Sequence, residues 1–448
     1  MRQVTIDIKK VKELISKKAL KSLRTIIQDQ HPVDLAEVLE ELSHHESIEL
    51  FKVIDFNVAL DVLAELGSEK RFFILTNINP RYTTQLLNEM SADDLADFLG
   101  ELPEEKKNII LSLLETREQS DIRGLLSYDE NTAGGLMTTE YIAFSVDLKS
   151  QEALNRLSEL APDAETVYYV YAVDSMHRLV GVVSLRDLIL APAQTPIREF
   201  MSTDVKKVKA SMDQEDVAKL IKKYGFLALP VVDDNDVLLG IVTVDDVMEV
   251  VEEETTEDML KLAGSDEKLD TRKSSPWMRA KRRLPWIMVA VMGEIISGSV
   301  INNFSYTIKA LVALSFFIPV LMDMGGNVGT QSAAIVVRGL ATGEINPASL
   351  GKNILRESVV GIILGAINGT LIALIAYIWQ GEIVLGFAVG IAMALNLTLA
   401  AILGTLMPFL WYRMGHDPAV AAGPFVTTAL DIVGLFIYFS AAAWILKA

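Results

Sequence analysis

With 448 residues the chain is longer than one domain needs. Its 59 acidic against 41 basic residues argue against a nucleic-acid partner, whose phosphates demand a basic surface. Without cysteine there are no disulfides, thiolate metal sites or thiol catalysis. The charge is unevenly placed. Residues 284–448 hold seven acids and six bases, which leaves 52 acids and 35 bases, a net of about −17, in residues 1–283. An acidic front therefore precedes an apolar back, and an acidic front suits cation binding.

Residues 1–130 read as short helices. VLEEL at 38–42 recurs as VLAEL at 62–66, LLNEM at 86–90 and FLGEL at 98–102. Such spacing predicts an all-α superhelical domain in which each unit buries one face on the next. Asp34, Ser91 and Pro103 stand where helices can begin. Asp93, Asp94 and Asp97 head one of these helices, which suits its dipole. Asp93 and Asp97 are also four apart and share a face; capping and cation binding both remain open for them. His44–His45 lacks a third ligand nearby and reads as a surface pair. The start, MRQVTIDIKKVKELISKKAL, has no apolar core of a signal peptide, so the front is expected in the cytoplasm.

In residues 131–255 the paired glycines of NTAGGLMT suit a hinge or tight turn. Two copies of one unit follow. LMTTE at 136–140 matches FMSTD at 200–204, and VYAVDSMHRLVGVVSLRDL at 170–188 matches LPVVDDNDVLLGIVTVDDV at 229–247. Each copy holds two apolar strands around a polar turn, then a helix opened by Ser/Thr-x-x-Asp. This α/β unit resembles a tandem pair of cystathionine-β-synthase (CBS) domains, many of which bind adenine nucleotides. The matching positions are Ser184, Arg186 and Asp187 in the first copy and Thr243 and Asp246 in the second. A helix N-terminus with a hydroxyl and a carboxylate can receive ribose and phosphates; the same residues also serve as plain caps.

TVDDVMEVVEEETTEDML carries eight acids and no base. Like charges three and four apart repel on a helix, and oxygen-rich clusters without His or Cys suit Mg²⁺ or Ca²⁺. A connector helix is expected over 256–283, ending in the basic flank Arg279, Lys281, Arg282 and Arg283.

Residues 284–448 hold five apolar segments, at about 284–305, 308–337, 357–379, 383–412 and 418–446, each long enough to cross a bilayer. With the first basic flank inside, Arg338, Lys352, Arg356 and Arg413 also fall inside. Lys309 and Lys447 fall outside, and so does the C-terminus. Pro319 and the glycines of FFIPVLMDMGGNVGTQSAA are expected to break or kink the second span, where freed carbonyls can line a cavity. Gly361, Gly365 and Gly369 form a small-residue stripe for helix packing. The fifth segment carries one charge, Asp431, near its middle. A carboxylate at that depth costs several kcal/mol, offset in a bundle interior or by a cation in a watery pore. Glu294 in the first segment is a second intramembrane acid, on the pathway or bonded to a neighbour.

FFIPVLMDMGGNVGTQSA at 316–333, GHDPAVAAGPFVTTALD at 415–431, AGGLMT at 133–138 and the order of segments resemble the MgtE family of magnesium transporters. The resemblance implies a homodimeric, Mg²⁺-selective channel in the cell membrane whose cytoplasmic domains sense internal Mg²⁺. It implies Asp431 as the pore carboxylate and Asp417 as an acid set against the connector. The regulatory acids would be Asp93, Asp97, Asp213, Glu215, Asp246, Glu249, Glu254, Glu257 and Asp258, with Gly135 as a backbone ligand. Its ligands would be Mg²⁺, carried and regulatory, and ATP on the CBS pair. Thr330 stands where the family can have Asn, and Gly225 where it can have an acid. The alternatives are an ion-coupled secondary carrier of divalent cations, since broken helices also mark transporters, and a membrane-anchored nucleotide receptor, which needs only one plain span. No catalytic constellation points to an enzyme.

Overall fold

The computed structural model describes residues 6–28, 30–114, 116–161, 164–265 and 275–446. Residues 266–274 of the expected connector, and Lys447, lie outside them. The chain forms two units, Met1–Val250 and Val251–Ala448.

Among the described residues the first unit begins with ten short helices, α1 to α10, from α1 (Ile8–Ser16) to α10 (Thr116–Leu125). The recurring pentapeptides end α3 (Pro32–Glu41), α5 (Phe56–Ala64), α7 (Pro80–Glu89) and α8 (Ala92–Gly100). Their apolar positions, Leu39 and Leu42, Leu63 and Leu66, Leu87 and Met90, Leu99 and Leu102, are buried in one core. That repetition builds the superhelix, since each helix covers its neighbour's apolar face. Ser91 is the N-cap of α8 and Pro103 that of the next helix, while Asp34 sits in the first turn of α3.

Among the described residues two three-stranded sheets follow. The first is β1 (Ala143–Ser145), β2 (Tyr169–Val173) and β3 (Leu179–Ser184), with α11 (Ser150–Leu160) and α12 (Leu185–Leu190). The second is β4 (Val208–Lys209), β5 (Ala228–Val232) and β6 (Leu238–Thr243), with α13 (Gln214–Tyr224) and α14 (Val244–Leu262). In each, the first pair is parallel and the second antiparallel, with an irregularity at the same place, Ala172/Val173 and Val231/Val232. Tyr171 and Val173 share a core with Val232 and Ile241, so the two copies bury their sheets on each other.

The AGG motif makes a tight turn. A Cβ on Gly135 would lie 2.8 Å from the Glu130 carbonyl oxygen, and one on Gly134 2.6 Å from the Tyr128 ring. α14 is one unbroken helix through residue 255, longer than α12 in the first copy.

The second unit contains five helices long and apolar enough to span a membrane, Pro276–Asn303, Val312–Ala341, Pro347–Gln380, Ile383–Arg413 and Pro424–Ile445, among the described residues. They comprise α15 (Pro276–Asn303), α17 (Ile318–Ala341), α18 (Leu350–Gln380), α19 (Ile383–Arg413) and α20 (Pro424–Leu446); a short α16 (Ser305–Ala310) follows α15. α19 is the centre and the most buried of the five, and α15 the least. Its Leu385, Val389, Met393 and Leu397 pack with Tyr438 and Phe439 of α20.

The second span is irregular at its start and not, as expected, at Pro319 and the glycines. α17 runs continuously from Ile318 to Ala341. Pro319 lies in its first turn, where a missing N–H removes no intrahelical bond. The glycines admit neighbours instead: a Cβ on Gly329 would strike the Leu430 side chain, and one on Gly404 the Gly329 carbonyl. The irregular backbone lies just upstream, in the 3₁₀ turns of Val312–Phe317. Pro408 likewise leaves α19 intact.

Candidate ion and nucleotide sites

Asp431 stands two turns into α20 and is half-buried. The Glu294 side chain of α15 lies beside it. The backbone permits this meeting because Gly293, next to Glu294, is buried against Thr428, and any Cβ there would overlap the Thr428 methyl. Nearby, Asn396 of α19 is 1 % exposed. Its amide donates to the Leu321 carbonyl at 2.9 Å, while its Oδ1 lacks a partner and faces Gly434, one turn beyond Asp431.

Asp417 precedes α20. Its Oδ1 accepts from Ala419 N at 2.8 Å, fixing the turn, and its Oδ2 accepts from Lys261 Nζ at 2.6 Å. Lys261, in the last turn of α14, also pairs with Glu257 one turn earlier. Burial works against its charge, but hydrogen bonds to Asp417 and Glu257 outweigh that and hold its pKa above the ordinary lysine range. Beside this pair, a Cβ on Gly423 would lie 2.8 Å from the Leu262 carbonyl oxygen, and one on Gly264 would lie 2.9 Å from the Pro424 ring. The end of α14 is thus seated on the segment that leads into α20. Glu254 and Asp258 lie on the same turns of α14 and have contacts of their own.

In the first unit, Ala96 of α8 and Leu125 enter the core formed by Val217, Val247 and Val250. This docks α8 against the start of α14 and sets Asp93 and Asp97 facing Asp246. Asp93 is 9 % exposed and its Oδ1 has no hydrogen-bond partner. Burial, with the charges of Asp246 and Asp94, raises its pKa to about 6. Desolvation and the neighbouring Asp93 and Asp246 raise that of Asp97 to about 7. Asp246 is also raised by burial, partly relieved by a hydrogen bond from Thr243.

The other candidates serve locally. Asp213 caps α13 by accepting from Glu215 N at 2.9 Å, and Glu215 pairs with Lys219 at 3.0 Å. Gly135 forms the turn described above. Glu249, one turn beyond Asp245, lies on α14 and is contacted. Gly225 ends α13 with φ +68°, a left-handed cap that favours glycine. Among the described residues no three His, Asp or Glu side chains converge as one metal-binding group.

The two CBS copies differ in what surrounds their matching carboxylates. Ser184 Oγ donates to Asp187 Oδ2 at 2.6 Å and accepts from Asp187 N at 3.1 Å. Beside them is a cleft of about 660 Å³ lined by Tyr168, Tyr169, Ser184, Arg186, Ile189 and Leu227 among others. Aromatic rings, a guanidinium and a helix N-terminus suit a nucleotide base and phosphates. In the second copy Thr243 makes the same bond to Asp246, but Asp246 faces Asp93 and Asp97, whose charge opposes phosphate.

Sequence reasoning passed over Lys261, Glu140 and Glu165. The i, i+4 spacing of Glu257 and Lys261 was a usable signal; nothing local marks Glu165, which reaches the acids only through the fold.

Comparison with known proteins places these features in a family. Residues 318–441 match the MgtE divalent cation transporter model, 30–131 the MgtE intracellular N domain, and 133–194 and 197–253 the CBS domain. The chain is 37 % identical over 423 residues to magnesium transporter MgtE of Bacillus subtilis, covering 94 % of both chains. It is 37 % identical over 442 residues to magnesium transporter MgtE of Thermus thermophilus, covering 98 % of both. Its fold resembles a crystal structure of the cytosolic domain of the Mg²⁺ channel MgtE in complex with ATP, at 39 % identity and TM-score 0.51, over 54 % of this chain and 98 % of that one. It also resembles the soluble part of a magnesium transporter, at 34 % identity and TM-score 0.50, over 55 % of this chain and 97 % of that one.

Proposed function

The chain belongs to the MgtE family of divalent cation transporters, and from that premise we propose that it is a Mg²⁺ channel of the cell membrane, closed by cytoplasmic Mg²⁺. The observation that carries this reading is Asp431, a half-buried carboxylate in a span without any other charge. Mg²⁺ dehydrates reluctantly and binds through one or two carboxylates and several waters. Asp431 from each of two subunits would hold the hydrated ion at mid-membrane.

The alternation of the spans supports a cytoplasmic N-terminal side and an external C-terminus. Basic residues head α15 and α18, and Arg338 and Arg413 end α17 and α19.

Regulation is assigned to two acidic groups. Asp93, Asp97 and Asp246 fit a cation because Asp93 is buried with an oxygen unpartnered, and a divalent ion would offset the repulsion that raises their pKa values. Glu254, Glu257, Asp258 and Asp417 form the second group, around the seat of α14. Asp213, Glu215, Glu249 and Gly135 remain assigned by resemblance alone. An ion that binds the closed arrangement better than the open one shifts the population by that difference in affinity. ATP is assigned to the cleft at Tyr169, Ser184, Arg186 and Asp187.

Mg²⁺ flux into liposomes at controlled lumenal Mg²⁺ tests the reading. Flux should be large when Mg²⁺ on the side of the N-terminal domains is low and should shut as it rises. Flux that ignores that concentration would refute the gating assignment, and absence of single-channel currents would favour a carrier.

A further inference from the structure

Glu165 lies in the turn before β2, far in sequence from α8 and α14. Its N–H donates to the Glu140 carbonyl at 2.8 Å, and Glu140 Oε1 accepts from Ala92 N at 3.2 Å, at the head of α8. Glu140 in turn follows Thr138, a buried residue bonded to Ile241 of β6. One backbone bond and one cap, both at Glu140, therefore tie the Glu165 turn to the helix that carries Asp93. Glu165 keeps an exposed side chain; partial desolvation, with the charges of Asp93, Asp246 and Asp245, raises its pKa to about 7. Asp93 itself is 9 % exposed, and its Oδ1 has no hydrogen-bond partner. A buried carboxylate oxygen without a donor, ringed by further carboxylates, is unfavourable unless a cation or proton joins it.

We propose that Glu165 is a further carboxylate of the divalent-cation site centred on Asp93 and Asp246, bound to the ion's hydration shell from the first CBS copy. The proposal rests on the assignment of Asp93 and Asp246 to a regulatory Mg²⁺. The ion then joins three separate segments, α8, the start of α14 and the turn before β2. Mg²⁺ suits this arrangement because its waters span the gaps between carboxylates that do not converge directly.

The test is limited proteolysis of the full-length protein in detergent over a Mg²⁺ titration from chelator to tens of millimolar. The variants are Glu165→Gln, Asp93→Asn and, as a control, Glu159→Gln, an exposed acid on α11. Glu165→Gln should raise the Mg²⁺ concentration for half-protection by about three- to tenfold, the scale of one charge contact across water. Glu165→Asp should restore part of the shift, and Glu159→Gln should leave the native midpoint. A native or lowered midpoint in Glu165→Gln, beside a raised one in Asp93→Asn, would remove Glu165 from the site. An equal shift in Glu159→Gln would reduce the effect to net charge and also overturn the proposal. If Asp93→Asn itself keeps the native midpoint, the underlying assignment of the site fails.

Discussion

Lys261 Nζ lies 2.6 Å from Asp417 Oδ2, and the pair is mostly shielded, with side chains 18 % and 33 % exposed. An ammonium thus occupies the carboxylates, Asp417 and Glu257, that the family resemblance assigns to a metal. Lys261→Gln and Asp417→Asn should each make the end of α14 more sensitive to protease in chelator. The double variant should be little worse than either single one, because partners in one contact are not additive. A coupling energy near zero, against roughly 0.5–3 kcal/mol for contacting groups, would mean the pair does not hold the connector.

Asp431→Ala should cut Mg²⁺ flux by more than about tenfold, which needs only ~1.4 kcal/mol of lost stabilisation along the pathway. Folding and chromatographic size should be unchanged. Glu294→Gln, which keeps the shape of its contact with Asp431, separates a charge effect of Glu294 from a packing effect. Native flux in a well-folded Asp431→Ala protein would end its assignment to the pore.

Gly293→Ala should destabilise the second unit by about 1–3 kcal/mol, the usual cost of overpacking, because the new methyl meets Thr428. Thr428→Ala in the same chain removes the nearest atom and should recover most of the loss. Thermal unfolding in detergent measures both, and failure of the second change to rescue the first would place the strain elsewhere.

Without divalent ions the first unit should lose stability as pH rises. Asp93, Asp97 and Glu165 have folded-state pKa values of about 6, 7 and 7, above the 3.8 to 4.5 of free carboxyls. Between those limits the folded protein binds more protons than the unfolded chain, so its stability falls with pH. The contribution is complete below about pH 4 and lost as pH passes 6 to 7. The melting temperature in chelator should therefore drop from pH 5 to pH 8, by roughly 2–4 °C per kcal/mol, and millimolar Mg²⁺ should erase much of the drop. A flat profile in chelator would show that these carboxyls do not meet in solution.

ATP should bind once per chain, in the first CBS copy. Arg186→Ala and Asp187→Asn should weaken the calorimetric signal by about tenfold or more, a loss of ~1.4 kcal/mol or greater, while Thr243→Ala leaves it near native. Loss of binding in Thr243→Ala alone would move the nucleotide to the second copy.

The linear order of apolar and charged residues determined a great deal by itself. The pentapeptides placed buried faces at the ends of α3, α5, α7 and α8 because an amphipathic helix has few ways to hide its stripe. Two matching strand–turn–strand–helix runs predicted two alike sheets, and five long apolar segments predicted five helices of spanning length. The single charge in 418–446 was visible because a membrane tolerates so few.

Tertiary structure decided what distance along the chain conceals. Pro319 and the glycines carried a break signal in sequence, yet α17 is continuous: position in the first turn spares Pro319, and packing against Leu430 and Asn396 uses the glycines. Asp187 and Asp246 look equivalent in their copies, but only Asp246 is brought against α8, because Ala96 and Leu125 share its core. Lys261 meets Asp417 across 156 positions, and Glu294 meets Asp431 where Gly293 lets two helices close. Helical and strand periods reveal which faces are buried; which buried faces meet is set by packing between segments, and so are the charges each carboxylate faces.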